Sequence, residues 1–296
     1  MAGSTRRAFS GPSPRQSRAP GAAVVTGGAR GVGLEIARRL ATRGFSVNVT
    51  DIDREGAEGA AATLGPRSWG SLMDVADAAA CQETARAAAV RGGSLDVWVN
   101  NAGVMPTGPS WEHTAEQRTT ALAINTAGTI NGTVAALELM IPARSGHVLN
   151  IISLAGLVTP PGQALYAASK HAARSFSLGT LMDLRRAGLR DVHVSAVCPD
   201  GILTQLLIEK AHDEQAALSW SGQLLRPEYV AERTVALLDS PRAILSIPAW
   251  RGGVLRLFDA FPRVFLALQP LVLAATTRRQ AAWARGYLRR REELCR

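Results

Sequence analysis

The chain has 296 residues, of which 47% are apolar and 19% charged, and a formal net charge of +9. This fits a globular protein large enough for one α/β domain or two smaller ones, and much of the positive charge lies at the two ends. Three scattered cysteines (Cys81, Cys198, Cys295) and five histidines without an H-x-x-x-H pair argue against a disulfide framework or a metal site.

Residues 1–20 are rich in Ser, Pro, Gly and Arg and carry no apolar periodicity, so a disordered basic arm is expected there. No apolar h-region of a secretory signal is found in it, and the cysteine usage suits a reducing, cytoplasmic compartment. Ala22 to Thr26 reads as a buried strand, followed by Gly27-Gly28-Ala29-Arg30-Gly31-Val32-Gly33 and an amphipathic helix over Leu34 to Arg43. A glycine turn between strand and helix lets backbone N–H groups approach a pyrophosphate at the helix N-terminus. A second strand, Phe45 to Thr50, ends at Asp51, where a carboxylate can accept hydrogen bonds from adenosine ribose hydroxyls. The same charge repels a 2′-phosphate and favours NAD over NADP. Arg30 and Arg54 are the opposing candidates, and NADP stays open. Asp53 reads as the N-cap of a helix over 53–64.

A third strand is expected over Arg67 to Leu72, running into Met73-Asp74-Val75, with Asp74 a candidate contact for the adenine amino group. An alanine-rich helix, Ala76 to Arg91, leads to a fourth strand, Leu95 to Val99, and then to Asn100-Asn101-Ala102-Gly103. Those amides and the glycine can brace the sheet and line the cofactor cleft. A long helix is predicted from Ala115 to Met140, with Asn125, a poor interior helix residue, within it. The apolar run from His147 to Ile152 reads as a strand with Ser153 at its carboxyl end, where ligands bind in open α/β sheets. A helix over 163–187 then carries Tyr166 and Lys170 one turn apart on one face. A lysine ammonium beside a bound cofactor favours tyrosinate and lowers the phenol toward a range useful for proton transfer. The only lysines are Lys170 and Lys210, in a chain whose basic positions are otherwise arginine. A strand from Val192 to Val197 leads to Cys198-Pro199-Asp200-Gly201-Ile202-Leu203-Thr204, and a last strand is expected over Ala243 to Pro248. Strands alternating with helices predict an α/β fold with one doubly wound parallel sheet and helices on both faces.

Assembled in order, Thr26-Gly27-x-x-x-Gly31-x-Gly33, Asp74, Asn100-Asn101-Ala102-Gly103, Asn125, Ser153, Tyr166-x-x-x-Lys170 and Pro199 through Thr204 resemble the compact branch of the short-chain dehydrogenase/reductase superfamily. The likeness covers residues 20–248. It implies a Rossmann-fold NAD(P)-dependent oxidoreductase, with Tyr166 as general acid/base. Lys170 would lower the pKa of Tyr166 and hydrogen-bond the nicotinamide ribose, and Ser153 would polarise the substrate oxygen. Asn125 would bend its helix and hold a relay water. Taken with the readings of the residues above, the expected cofactor contacts are Thr26, Gly27, Arg30, Gly31, Val32, Gly33, Asp51, Asp74, Val75, Asn101, Ala102 and Gly103, and later Tyr166, Lys170, Pro199, Ile202 and Thr204. One departure is Asp200, where the family usually has glycine directly after the proline.

The expected division is a basic arm (1–20), a catalytic domain (21–248) and an apolar, arginine-rich helical extension (249–296). In the extension, apolar stretches broken by Pro262 and Pro270 are followed by Arg278, Arg279, Arg285, Arg289, Arg290 and Arg291. Such helices can cap the substrate pocket, pack on a partner subunit or lie on an anionic membrane surface. Leu154, Met105, the Val158-Thr159-Pro160-Pro161 loop and the Leu203 to Leu225 segment are the expected pocket lining, which favours an apolar alcohol or ketone. Small residues along the helices bearing Asn125 and Tyr166 suit a homodimer, as in relatives. No nucleic-acid partner is expected.

Overall fold

The structure is a computed structural model that describes residues 19–294, with side chains through Tyr287. The expected arm (but for residues 19 and 20), Cys295 and the side chains of Arg289, Arg290 and Arg291 lie outside the described residues.

The first half of the sheet forms from alternating strands and helices. Strand β1 (Ala22–Thr26) is buried at every position. The glycine turn leads into α1 (Gly31–Thr42), whose Val32, Ile36, Ala37 and Leu40 form one buried stripe. Strand β2 (Ser46–Asp51) and α2 (Arg54–Ala62) follow, and Asp53 caps α2 by accepting a hydrogen bond from the Gly56 N–H. Strand β3 (Trp69–Leu72) is two residues shorter than expected, because Ser68 is taken into a backbone turn with Gly65. Helix α3 (Ala78–Gly92) starts after Asp77, which caps it, and β4 (Leu95–Asn100) completes this half.

The predicted single helix from Ala115 is broken. Helix α4 (Ala115–Leu122) opens on a Thr114–Gln117 capping box. It then widens into a π turn over Ala123–Ala127, centred on Asn125, before α5 (Gly128–Ala143) resumes. A π turn inserts one extra residue per turn and so re-aims a side chain. Strand β5 (Gly146–Ile151), α6 (Ala164–Arg186) and β6 (Val192–Pro199) follow, then a short α7 (Gln205–Ile208), α8 (Pro227–Val235) and β7 (Ile244–Ile247).

All seven strands are parallel, in the order β3-β2-β1-β4-β5-β6-β7. The order reverses between β1 and β4, which opens a crevice at the carboxyl edge of the sheet. Alternate residues of each strand face opposite cores. Ala23 and Val25 join α1, α2 and α8 on one face, while Ala22 and Val24 join α3, α5 and α6 on the other.

A buried polar chain threads the second core. Trp98 Nε1 donates to Asn100 Oδ1 at 2.7 Å, Asn100 Nδ2 donates to Asn150 Oδ1 at 2.8 Å, and Asn150 Nδ2 donates to Ser177 Oγ at 2.8 Å. Each member is satisfied, so the network fixes β4, β5 and α6 relative to one another. The expected bracing amide is thus Asn100, and Trp98 is fully buried as a core residue.

The extension consists of α9 (Ala249–Ala260) and α10 (Pro262–Leu294), which meet at a bend of 118°. Pro262 breaks the chain as expected. Pro270 does not, and α10 runs through it for 33 residues. Good helix formers flank that proline, and its distal half is held by packing described below. Among the described residues no single helix is long and apolar enough to cross a membrane.

Helix α5 approaches β4 closely at Gly132, where a Cβ would lie 2.1 Å from Asn100 Oδ1 and 2.5 Å from Trp98 Nε1. Gly132→Ala is therefore expected to cost about 1–3 kcal/mol by pushing the helix off the amide chain. The urea midpoint of the variant measures this, and an unchanged midpoint would mean the chain yields without loss.

Candidate active site

One cavity of about 1030 Å³ runs along the carboxyl edge of the sheet. Its walls come from the segments that follow β1, β2, β3, β4, β5 and β6, and from α9 and α10.

The first wall is the glycine turn. Gly27 and Gly31 each have φ of +59°, a backbone conformation that favours glycine. A Cβ on Gly33 would meet Gly27 O at 2.3 Å and Asn101 Nδ2 at 2.6 Å, so helix, turn and the segment after β4 come within backbone contact. Asn101 clamps that junction, its Nδ2 donating to Thr26 O at 3.0 Å and Gly27 O at 2.8 Å. The Thr26 hydroxyl accepts from the Asn101 and Ala102 N–H groups at 3.0 and 3.1 Å. Thr26 and Gly33 are buried beneath the cavity and shape it rather than line it, whereas Gly27, Arg30, Gly31, Val32, Asn101, Ala102 and Gly103 do line it.

Asp51 ends β2 at the cavity rim. Its Oδ2 accepts from the Ala29 N–H and its Oδ1 from the Asp53 N–H, both at 3.2 Å, which fixes the carboxylate against the glycine turn. Arg30 is exposed on the same rim. Arg54 lies near Glu58, at 3.8 Å, and is not among the lining residues. Asp74 and Val75 line the wall after β3, and the Asp74 carboxylate accepts from the Ala76 N–H at 2.9 Å.

Ser153, Tyr166 and Lys170 line the opposite wall together. Ser153 follows β5, and its hydroxyl accepts from the Ala155 N–H at 3.0 Å, while a hydrogen bond joins its side chain to Tyr166. Lys170 is buried, and its Nζ donates to Ile151 O at 3.0 Å and lies 5.9 Å from the centre of the Tyr166 ring. The expected lowering of the tyrosine by the lysine is not part of the balance in the protein itself. Burial pushes the Tyr166 phenol above its usual value, and the hydrogen bond with Ser153 pulls it back in part. Burial also lowers Lys170 to about 8, because little beside it offsets the loss of water around the ammonium. Cys198, behind this wall, is pushed up to about 11 by burial and is an inert thiol at neutral pH.

Asn125 does not reach the cavity surface. Its Oδ1 accepts from the Val104 N–H at 2.9 Å, and its Nδ2 donates to Val104 O at 2.8 Å and Ser169 Oγ at 2.9 Å. Both amide protons are used within the protein, so the side chain is a fixed tether rather than a free ligand. Ser169 is the residue that sequence reasoning missed. Its hydroxyl passes the bond on to Tyr166 O at 2.7 Å, and only its place beside Lys170 marks it in the sequence.

The third wall comes from Pro199, Asp200, Gly201, Ile202 and Thr204. A Cβ on Gly31 would meet Thr204 Cγ2 at 3.4 Å, so the glycine turn faces the segment after β6 with room for about one methyl group between them. The expected pocket lining is met by Met105, Leu154, Val158, Pro160, Leu206, Leu207 and Leu218. Thr159, Pro161, Leu203 and Leu225 are set back from the cavity.

The Lys170 shift has a stability consequence. At pH 7 the lysine is charged in both folded and unfolded chains, and burying that charge opposes folding. Between about 8 and the ordinary value of 10.5 the unfolded chain holds the proton and the folded chain does not, so the penalty fades as pH rises. Lys170→Met is therefore expected to stabilise the chain by about 1–3 kcal/mol at pH 7, with the gain shrinking toward pH 10.5. Urea melts of both chains across that range test the sign, and a gain that grows with pH would contradict it.

Residues 21–215 match the model of the short chain dehydrogenase family. The chain is 34% identical over 232 residues to D-threitol dehydrogenase of Mycolicibacterium smegmatis, covering 76% of this chain and 88% of that one. It resembles a solved short chain dehydrogenase/reductase from Burkholderia phymatum in complex with NAD, with a TM-score of 0.75, 27% identity and coverage of 83% and 95%. It also resembles a variant actinorhodin polyketide ketoreductase with NADPH, with a TM-score of 0.69, 29% identity and coverage of 77% and 95%. With its seven-stranded parallel sheet and the switch-point cavity, the chain belongs to the short-chain dehydrogenase/reductase superfamily and is an oxidoreductase of that family.

Proposed function

We propose that the chain interconverts an apolar secondary alcohol and its ketone with a nicotinamide dinucleotide, NAD in preference to NADP. The observation that carries this reading is that Ser153, Tyr166 and Lys170 share one cavity with the glycine turn at the sheet's switch point. The glycine turn fits a dinucleotide: Gly27 and Gly31 have positive φ at the start of α1, where a helix N-terminus favours a phosphate, and both line the cavity, so a side chain at Gly31 would take up part of that cradle. When bound, the dinucleotide supplies the two-electron hydride chemistry. The protein's own part is the proton. Tyr166 takes it from the alcohol oxygen in oxidation and returns it in reduction, while the Ser153 hydroxyl holds that oxygen by a hydrogen bond. The Lys170 ammonium holds the nicotinamide ribose beside the phenol and favours its ionised form. Asn125 positions this wall through Ser169, and its backbone region is the proposed seat of a relay water. A non-catalytic dinucleotide sensor would need none of these groups.

Asp51 supports the NAD reading, because its carboxylate is pinned at the rim by two backbone N–H groups. Pro199, Ile202 and Thr204 are the proposed contacts to the carboxamide end, and Asp74 and Val75 those to the adenine. The proposed organisation is a catalytic domain over 21–248 and a capping extension over 249–296, in a reducing cytoplasmic setting that suits the free, separate thiols of Cys81 and Cys198.

The proposed assembly is a homodimer through α5 and α6, where Val134, Ile141 and Met182 are exposed apolar residues. A second, peripheral contact is proposed for the extension. Leu257, Phe261, Leu266 and Leu271 are 57–72% exposed among exposed arginines such as Arg256 and Arg263, which suits an anionic lipid surface.

Tyr166→Phe removes the proton and keeps the ring. Turnover of propan-2-ol with NAD is expected to fall by about 10²–10⁴, with cofactor affinity kept. Near-normal turnover would sink the mechanism. Asp51→Ala is expected to weaken NAD and shift preference toward NADP by roughly tenfold or more, read as the ratio of kcat/KM values. A wild type that already prefers NADP would assign the rim to Arg30. Truncation after Ala249 is expected to leave a dimer by light scattering and to abolish flotation with phosphatidylserine vesicles. A truncated monomer would place the interface in the extension.

A further inference from the structure

Two features that set this chain apart in sequence, the acid after Pro199 and the long extension, meet in the structure. Asp200 is buried, and its Oδ2 lies 2.5 Å from Arg251 Nε in the first turn of α9. The two side chains are only 6% and 15% exposed, so this is an interior ion pair rather than a surface one. Asp200 Oδ1 accepts from the Gly201 N–H at 3.0 Å, which ties the same carboxylate to the segment carrying Ile202 and Thr204. Arg251 Nη2 donates to Ser221 Oγ at 2.7 Å, and Arg279 Nη1 of α10 donates to Ser221 O at 3.4 Å. No side chain fits at Gly222, where a Cβ would lie 1.9 Å from Asp200 Oδ2. The next residue along α9, Gly252, is flush against β7, with a Cβ position 2.2 Å from Ser246 Oγ.

A second anchor holds the far end of the extension. Gln280 is buried, and its Nε2 donates to the backbone oxygens of Lys210 and Asp213, both at 2.9 Å. Trp283 packs against Trp220 with ring centres 6.1 Å apart. Lys210 Nζ in turn donates to Thr107 Oγ1 at 3.0 Å, which joins this anchor to the segment after β4. Between the anchors the extension is an arch. Phe258 and Phe265 meet across its bend at 5.8 Å, and with Leu268 and Val272 they form its inner, cavity-facing side. Its outer side is exposed, so between the anchors it meets the rest of the described chain through its inner side alone.

We propose that the Asp200–Arg251 ion pair is the positioning device that registers this arch against the Pro199–Thr204 segment, and that the arch selects bulky apolar substrates. Arg251 acts through the helix it anchors and is a positioning residue. Removing it frees the near end of the arch while Gln280 keeps the far end, so the apolar ceiling shifts and the floor with Ser153, Tyr166 and Lys170 stays. A small alcohol needs only the floor. A long-chain alcohol needs both.

The test uses the full chain with Arg251→Met, Arg251→Lys and the double variant Asp200→Asn/Arg251→Met, which leaves no unpaired charge buried. Propan-2-ol and decan-2-ol are the probes, with NAD as cofactor. In Arg251→Met, KM for decan-2-ol is expected to rise about tenfold while that for propan-2-ol changes less than about twofold and kcat for both holds within about threefold. In the double variant the ratio of the two KM values is expected to rise by a similar factor, and Arg251→Lys recovers most of the loss. Hydrogen exchange over residues 252–276 is expected to speed up in Arg251→Met and in the double variant, with exchange at 164–186 unchanged. A parallel rise of KM for both probes, or arch exchange equal to wild type, overturns the proposal. The kinetic arm rests on the alcohol/ketone reading, while the exchange arm does not. If wild type turns over neither probe, that reading fails, and unchanged arch exchange still decides against the ion pair.

Discussion

The amide of Asn125 is the contact on which the rest of the site depends. It sits in the single π turn between α4 and α5, and it bonds both to the backbone of Val104, after β4, and to Ser169 on α6. Ser169 stands directly before Lys170, and its hydroxyl bonds to Tyr166 O. One side chain therefore fixes the distance between the cofactor-side wall and the helix that carries the phenol and the ammonium. A regular helix would aim Asn125 elsewhere, and a shorter side chain would not span the gap. The distortion of the helix is the local cost of that placement, and the filled hydrogen bonds offset it.

The ceiling made by α9 and α10 follows a different logic. The cofactor-side wall is made by backbone close approach at Gly27 and Gly33, and by the Asn101 amide that clamps it. The ceiling over the substrate half is made by side chains on two helices that meet at a sharp bend. It is held by polar anchors at Arg251 and Gln280 together with the packing of Gly252, Leu255 and Trp283. In the proposed reading the chemistry belongs to the floor and the choice of substrate to the ceiling.

Much of this was legible in the sequence, and the reasons differ by element. The glycine turn, Asp51 and the Tyr166–Lys170 pair are local patterns, set by spacing along one turn or one helix. The alternation of strands and helices came from apolar periodicity, and only the ends shifted, as at β3. The π turn at Asn125 was not legible as such, because a lone asparagine in a helix fits a bend or a solvent position equally. The continuity of α10 through Pro270 depends on the distant contacts of Gln280 and Trp283, which no local rule contains. The same holds for Asp200 and Arg251: each reads as an ordinary charge until the fold brings them together. The burial that raises Tyr166 and lowers Lys170 in the protein itself was not legible either, since proximity of a lysine says nothing of how strongly both groups are dehydrated.

The proposed reaction passes a hydride between a carbinol carbon and a nicotinamide in this cavity. Propan-2-ol carrying deuterium at C2, incubated with NAD and the full chain, tests it most directly by mass spectrometry of the reduced cofactor. One deuterium in each new reduced nicotinamide is expected. Reduced cofactor without the label, or acetone formed with no reduced cofactor, would contradict it.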